Sequence, residues 1–298
     1  MKLHTRAKVN LHLDVLKRRP DGYHEIETIL QSVGLHDEIE IEFNESGTTS
    51  IEVECDSAVR AVCDPGEIPT DQRNLCARAM EAMRPHVGRH LGARIRLLKR
   101  IPWGAGLGGG SANAAGVILA VNKAHYLGLS REALEAAALE VGSDVPFMLH
   151  GGTMLGRGRG EILSALNPVT DGDFLIVKPE LSISTAWVYA NFNSHLTMHR
   201  RRLNLRAANS VLARIPAASP PFRNALEDVV CPSHPVIASA LDELLGQAPC
   251  IASMSGSGSA LFAVFAEHGQ AARLAERFSV RGFFSSVVEP AKRAVDIM

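Results

Sequence analysis

The chain has 298 residues, 46% of them hydrophobic and 5% aromatic, with a formal net charge of −1. That length carries one large core or two medium ones, and two are expected here. The near-neutral balance lacks the basic footprint of a nucleic-acid binder, and no 18-residue apolar run suits a membrane span, which leaves small molecules as the expected partners. Five scattered cysteines, odd in number and never in CxxC spacing, indicate neither a disulfide framework nor a zinc site. With no apolar stretch after Met1, these features point to a reducing, cytoplasmic setting.

From Ala7 to Asp14 the residues alternate, Ala7, Val9, Leu11 and Leu13 against Lys8, Asn10, His12 and Asp14. This is the period of a half-buried strand, and it presents four polar groups together. Arg19-Pro20-Asp21-Gly22 signals a turn, and Glu25 to Val33, Asp37 to Phe43 and Ser50 to Glu54 read as short strands of a mostly antiparallel sheet. Asn74 to Met83 reads as a helix, and Ala93 to Lys99 alternates again. Beyond it come a helix from Ala114 to Leu127 and another from Ser130, as N-cap, to about Val141. Gly142 is placed to end the second, leaving Ser143-Asp144-Val145-Pro146 on a turn. Glycine-rich composition from Gly151 to Gly160 sets an expected domain boundary near residue 155. A second cycle follows: a strand from Phe174 to Val177, helices near Thr185, Leu203 and Pro235, and strands near Cys250 and Ala260. The basic run His199-Arg200-Arg201-Arg202 reads as a solvated face.

The stretch from Ile101 to Ala115 joins strand to helix through glycines at 104, 106, 108, 109 and 110, followed by Ser111. Glycines cost conformational entropy on folding, so this concentration before a helix suits a loop whose bare amides and helix dipole receive an anion such as a polyphosphate. Gly104-Ala105-Gly106-Leu107-Gly108-Gly109 formally matches G-x-G-x-x-G. However, the preceding strand carries charge at alternate positions, whereas a dinucleotide-binding strand is a continuous apolar run, and the acid that would hold a ribose is missing. No Gly-Lys-Ser/Thr follows, which excludes a Walker A loop. A tight turn without ligand is the plain structural alternative.

Pro102-x-x-x-Gly106-Leu107-Gly108, followed by glycine, serine and alanine, resembles the phosphate loop of the GHMP kinases (galactose, homoserine, mevalonate and phosphomevalonate kinases). Ala7-Lys8-Val9-Asn10-Leu11-His12-Leu13 and Arg18-Arg19-Pro20-Asp21-Gly22-Tyr23-His24-Glu25 resemble the N-terminal signature of the branch acting on 4-diphosphocytidyl-2-C-methyl-D-erythritol. Ser143-Asp144-Val145-Pro146-Phe147, Gly151-Gly152 and Arg157-Gly158-Arg159-Gly160-Glu161 continue the likeness in order, and Met254-Ser255-Gly256-Ser257-Gly258-Ser259 resembles a late segment that buttresses the phosphate loop. The resemblance implies an α+β fold of two domains, mainly antiparallel sheets flanked by helices, with the active site in the cleft between them. Residues 1–155 would form the ATP-binding domain and 156–298 the domain that contributes to substrate binding. It also implies a kinase of the non-mevalonate isoprenoid route that uses ATP and Mg²⁺, as monomer or homodimer, on a cytidine diphosphate conjugate of methylerythritol.

Carried over residue by residue, the resemblance makes Asp144 the general base and Lys8 its electrostatic partner, although Asp144 reads equally as a simple helix N-cap. Asn10, Tyr23, His24, Arg159, Gly160 and Thr185 would contact substrate, with Tyr23 and His24 against the cytosine. Pro102, Gly104, Gly106, Leu107, Gly108, Gly109, Gly110 and Ser111 would surround the nucleotide phosphates, and Asn74 and Lys99 would lie towards adenine. Lys99 also reads as a solvated strand charge. Ala112 departs from the family pattern, which commonly has a second serine there, so no phosphate or Mg²⁺ contact is assigned to it. Another GHMP kinase with a non-nucleotide alcohol, or a non-catalytic nucleotide- or RNA-binding module, are the alternative readings.

Overall fold

Two long antiparallel strands open the chain in a computed structural model, β1 (Lys2–Arg18) and β2 (His24–Asn44), joined at the Pro20-Asp21-Gly22 turn. The turn is held by the Asp21 carboxylate, which accepts from the Tyr23 amide at 3.1 Å, and by Gly22 at φ +86°. The structure describes residues 1–88, 90–192, 203–212, 214–215, 220, 222–267 and 269–298. The basic run at 199–202 therefore lies outside the described residues.

After β3 (Thr49–Cys55) and the short α1 (Ser57–Arg60), α2 (Leu75–Val87) leads to β4 (Gly92–Lys99). The glycine run then feeds α3 (Gly109–Ala124), followed by α4 (Arg131–Val141) and α5 (Val145–His150). Ser130 caps α4, its hydroxyl accepting from the Ala133 amide, and Gly142 ends it. Next come β5 (Thr153–Gly158), β6 (Ile162–Ala165), β7 (Asp173–Lys178), α6 (Thr185–Asn191), α7 (Leu205–Leu212), α8 (Glu227–Ser233) and α9 (Pro235–Leu245). The chain closes with β8 (Ile251–Met254), β9 (Leu261–Phe265), α10 (Gln270–Val280), β10 (Phe284–Val288) and β11 (Val295–Ile297).

These strands form two sheets. The first runs β11-β1-β2-β4-β3 with β5 and β6 attached to β2; the second runs β10-β7-β9-β8. All pairings are antiparallel except β3 with β4. The boundary expected near residue 155 falls inside a strand, because hydrogen bonding of β5 to β2 carries the first sheet on to Ala165 and the C-terminal β11 returns to it. The two strands expected within 25–43 are one strand. Gly34 does not turn the chain there; its amide bonds the Glu289 carbonyl at 2.9 Å, and an added Cβ would sit 3.4 Å from that oxygen.

One apolar cluster lies between the first sheet and α2 to α5; another seals the two sheets together. In the second, Ala7, Val9 and Leu11 of β1 pack with Phe174, Ile176 and Phe262. The polar face of β1 is buried too, with Lys8, Asn10, His12 and Asp14 each under 8% exposed. The expectation of a half-buried strand is corrected accordingly: the glycine loop, the Ser255-Gly256 segment and Phe222-Arg223 cover the side left to solvent by simple alternation.

Candidate active site

The glycine run is laid directly on β1. The Lys8 amide donates to the Leu107 carbonyl at 2.9 Å, and the Ala260 amide to the Ala105 carbonyl at 3.2 Å, so the loop is clamped between β1 and the segment after β8. Gly104, Gly106 and Gly108 have φ of +63°, +75° and +70°, conformations that side chains rarely adopt. Gly108 is the N-cap of α3, which starts inside the glycine run rather than at Ala114. The exposed Gly104 and Gly110 and the half-buried Gly106, Gly108 and Ser111 line the loop's open side, whereas Pro102, Leu107 and Gly109 are buried beneath it. Ala112 is fully buried in the apolar cluster, so the position that lacks the second serine faces the core. The Met254 to Ser259 segment does underpin the loop: the Ser255 hydroxyl donates to the Gly106 carbonyl at 2.9 Å.

Lys8 is the hub. Its Nζ donates to Asn10 Oδ1 at 2.6 Å and to the Gly106 carbonyl at 2.7 Å, and lies 3.7 Å from Asp144 Oδ2. The Lys8 side chain is 4% exposed and that of Asp144 40%, so the cation is built in while the carboxylate looks into the cleft. Burial pushes the Lys8 ammonium below its ordinary range, and Asp144 opposes that shift. Asp144 occupies the N-cap position of α5 but makes no capping bond, so its carboxylate is left for the cleft. Asn10 in turn donates to Thr28 Oγ1 at 2.8 Å, which fixes its amide on β1.

Beside Asp144, past Ser143, opens a cavity of about 980 Å³. Its walls bring together Tyr23, His24 and Arg159 from the first sheet's side and Thr185 from α6. The Arg159 guanidinium sits 5.0 Å over the Tyr23 ring, and Thr185 Oγ1 bonds Ser257 Oγ at 2.7 Å. Gly160, at φ +110°, follows Arg159 in the β5–β6 turn. Tyr189, absent from the sequence expectation, stacks on His24 at 5.2 Å between ring centroids. Its signal was its place one helical turn after Thr185. Burial pushes the Tyr189 phenol up and the Asp144 charge acts in the same direction; burial and Arg18 push the His24 imidazole down.

Two expected nucleotide contacts have other partners. Asn74 caps α2, accepting from the Cys76 amide at 2.9 Å and donating to the Pro69 carbonyl at 2.7 Å. Lys99 is neither solvated nor open to the groove: its Nζ pairs with Asp37 and donates to Asn113 Oδ1 at 2.9 Å, beneath Gly109. A lysine ending a strand under a helix start finds the buried acid nearer than any groove, and Asp37, read from sequence only as a strand's first residue, is that acid.

An anion-ready glycine loop, a buried lysine and an open carboxylate at the mouth of a ring-lined cavity define the class. The GHMP kinases N terminal domain matches residues 74–152 and the GHMP kinases C terminal domain matches residues 204–282, and the chain is a small-molecule kinase of that superfamily. Within it, the chain belongs to the 4-diphosphocytidyl-2-C-methyl-D-erythritol kinase family. It is 38% identical over 282 residues to the kinase of that name from Geobacter sulfurreducens, covering 95% of this chain and 96% of the relative. It is 40% identical to that from Pelotomaculum thermopropionicum, covering 92% of each. A crystal structure of 4-(cytidine 5'-diphospho)-2C-methyl-D-erythritol kinase superposes with a TM-score of 0.77 at 32% identity, over 98% of this chain and 100% of that one. Among the described residues no helix is long and apolar enough to cross a membrane.

Proposed function

We propose that this kinase transfers the γ-phosphoryl group of ATP to the 2-hydroxyl of 4-diphosphocytidyl-2-C-methyl-D-erythritol, a step of the non-mevalonate route to isoprenoid precursors. The single observation that carries the reading is the Lys8–Asp144 pair, joined through the Gly106 carbonyl to the glycine loop and open to the aromatic cavity. In this reading Asp144 accepts the hydroxyl proton as the oxygen bonds to the γ-phosphorus, and the bond to ADP breaks with its electron pair leaving on ADP. Lys8 faces the Asp144 carboxylate and stabilises the charge that develops on the transferred group. Loop amides from Gly106 to Ser111 hold the phosphates. Tyr23, His24 and Tyr189 receive the cytosine, with Arg159 and Thr185 alongside and Asn10 towards the erythritol.

Mg²⁺ fits this site as a companion of the nucleotide. Among the described residues, the only trio of metal-binding side chains lies outside the cleft, so the loop holds no protein cage. That suits an ion carried mainly by phosphate oxygens, with the Ser111 hydroxyl as the loop's own side-chain donor. The ion would neutralise phosphate charge.

A coupled ADP-release assay across candidate alcohols tests the substrate: turnover with the cytidine conjugate, and none with mevalonate, homoserine or galactose, is the expected outcome. Asp144→Asn should lower kcat by about 10²–10⁴-fold while ATP still binds. Turnover near that of the unaltered protein would remove Asp144 as the base.

A further inference from the structure

On the outer side of the first sheet, away from the cleft, three side chains converge. In the β1–β2 register His4 stands directly opposite Glu38, and Arg6 opposite His36. Residues two apart share a face of a strand, so His36 and Glu38 from β2 and His4 from β1 form a triangle on one surface. One ligand atom from each lies within 4.8 Å of the others, and all three residues are half-buried. The two imidazole rings stack at 4.3 Å between centroids.

Two further contacts orient this trio. His36 Nδ1 lies 2.9 Å from the Gly34 carbonyl, an oxygen that can only accept. The ring proton therefore belongs on Nδ1, and the lone pair on Nε2 is left for a ligand. The Glu38 carboxylate is bonded through Oε1 by Arg100, which anchors the group and leaves Oε2. A histidine tied to a carbonyl and a carboxylate held by a neighbour are the supporting contacts that metal sites use to fix their ligands. Two imidazoles and one carboxylate make a borderline nitrogen and oxygen set, which suits Zn²⁺ and its neighbours, whereas Mg²⁺ and Ca²⁺ favour oxygen alone.

We propose that His4, His36 and Glu38 form a binding site for one divalent transition-metal ion of the Zn²⁺ type, with the remaining coordination position taken by water. The ion would clip β1 to β2 just upstream of Lys8 and Asn10, so its role is structural support of the strand that carries them. Arg6 and Asp296 border the site but are paired with each other at 2.5 Å.

The test uses the full chain, stripped of metal with a chelator and titrated with Zn²⁺ alone by calorimetry, then with Co²⁺ followed by its visible absorption. The expected result is one equivalent bound, a Co²⁺ spectrum of a low-coordinate nitrogen and oxygen site, and a rise in Tm with added Zn²⁺. His4→Ala and His36→Ala should each weaken binding by at least about tenfold and abolish the Tm rise, with circular dichroism and basal kinase turnover unchanged. Should one histidine variant fail to fold, the other and Glu38→Gln carry the same comparison. Binding that is absent, or equal in the unaltered protein and in the folded variants, would overturn the site and leave only adventitious surface histidine binding.

Discussion

Gly106 is the residue where the kinase loop has least freedom. Its φ of +75° already disfavours a side chain, and a Cβ there would lie 1.9 Å from the Ser255 carbonyl oxygen, which is backbone and cannot swing away. The left-handed conformation costs an ordinary residue about 1–2 kcal/mol and overpacking typically about 1–3 kcal/mol more. Gly106→Ala should therefore lower Tm by several degrees and, because the Gly106 carbonyl also receives Lys8 and Ser255, depress kcat as well. Gly22→Ala is the control, since its φ is also positive but nothing lies within 4 Å of an added Cβ. Differential scanning calorimetry and steady-state kinetics on the two variants check this; equal losses would mean that backbone conformation, and not the Ser255 contact, sets the requirement.

At the scale of elements, the start of α3 rests on a buried polar knot. Asp37 from β2 accepts from Lys99 and from the Arg100 and Ile101 amides at 2.8 Å each, and Asn113 of α3 reaches Asp37 at 3.0 Å and Thr5 at 2.8 Å. The knot fixes β4's exit, the chain entering the glycine run and the underside of the helix together. Removing one partner leaves an uncompensated buried charge, so Lys99→Met and Asp37→Asn should each cost about 3–5 kcal/mol in urea unfolding, whereas Lys99→Met/Asp37→Asn together should cost less than the sum of the two single losses. An additive result would contradict a direct pairing. Local signals made much of this layer legible: the β4 alternation, the Ser130 cap, the Gly142 stop and the glycine loop each encode their structure within a few residues. Asp37 and the long β2 were not legible, because burial of an acid and straightening of a strand at Gly34 depend on partners more than fifty residues away. The same reason hid the buried partner of Lys99, whereas Asn74 is held locally by the Cys76 amide and the Pro69 carbonyl.

On the scale of the whole molecule, the ring-lined cavity exists only because the two sheets meet. Tyr23 and His24 leave the β1–β2 turn, Arg159 leaves the β5–β6 turn, and Tyr189 comes from α6 on the far side, so no single segment contains the wall that they build. The motifs were visible one by one, but the pairing of His24 with Tyr189 across 165 positions was not. If this wall receives a cytosine, Tyr189→Ala should raise KM for the conjugate by about tenfold, within the 1–3 kcal/mol that base stacking contributes, and leave KM for ATP nearly unchanged. The pH dependence has a definite sign. Burial and Arg18 hold His24 below the ordinary histidine value of about 6.5, so the neutral ring persists as pH falls from about 8 to about 6.5. KM for the conjugate should accordingly stay flat across that interval and rise only at lower pH, where the ring gains a proton and loses its acceptor nitrogen. In His24→Gln, which cannot titrate, that rise should disappear. A KM that climbs already above pH 7 in the unaltered protein, or that climbs equally in the glutamine variant, would assign the titration to another group and take His24 out of base recognition.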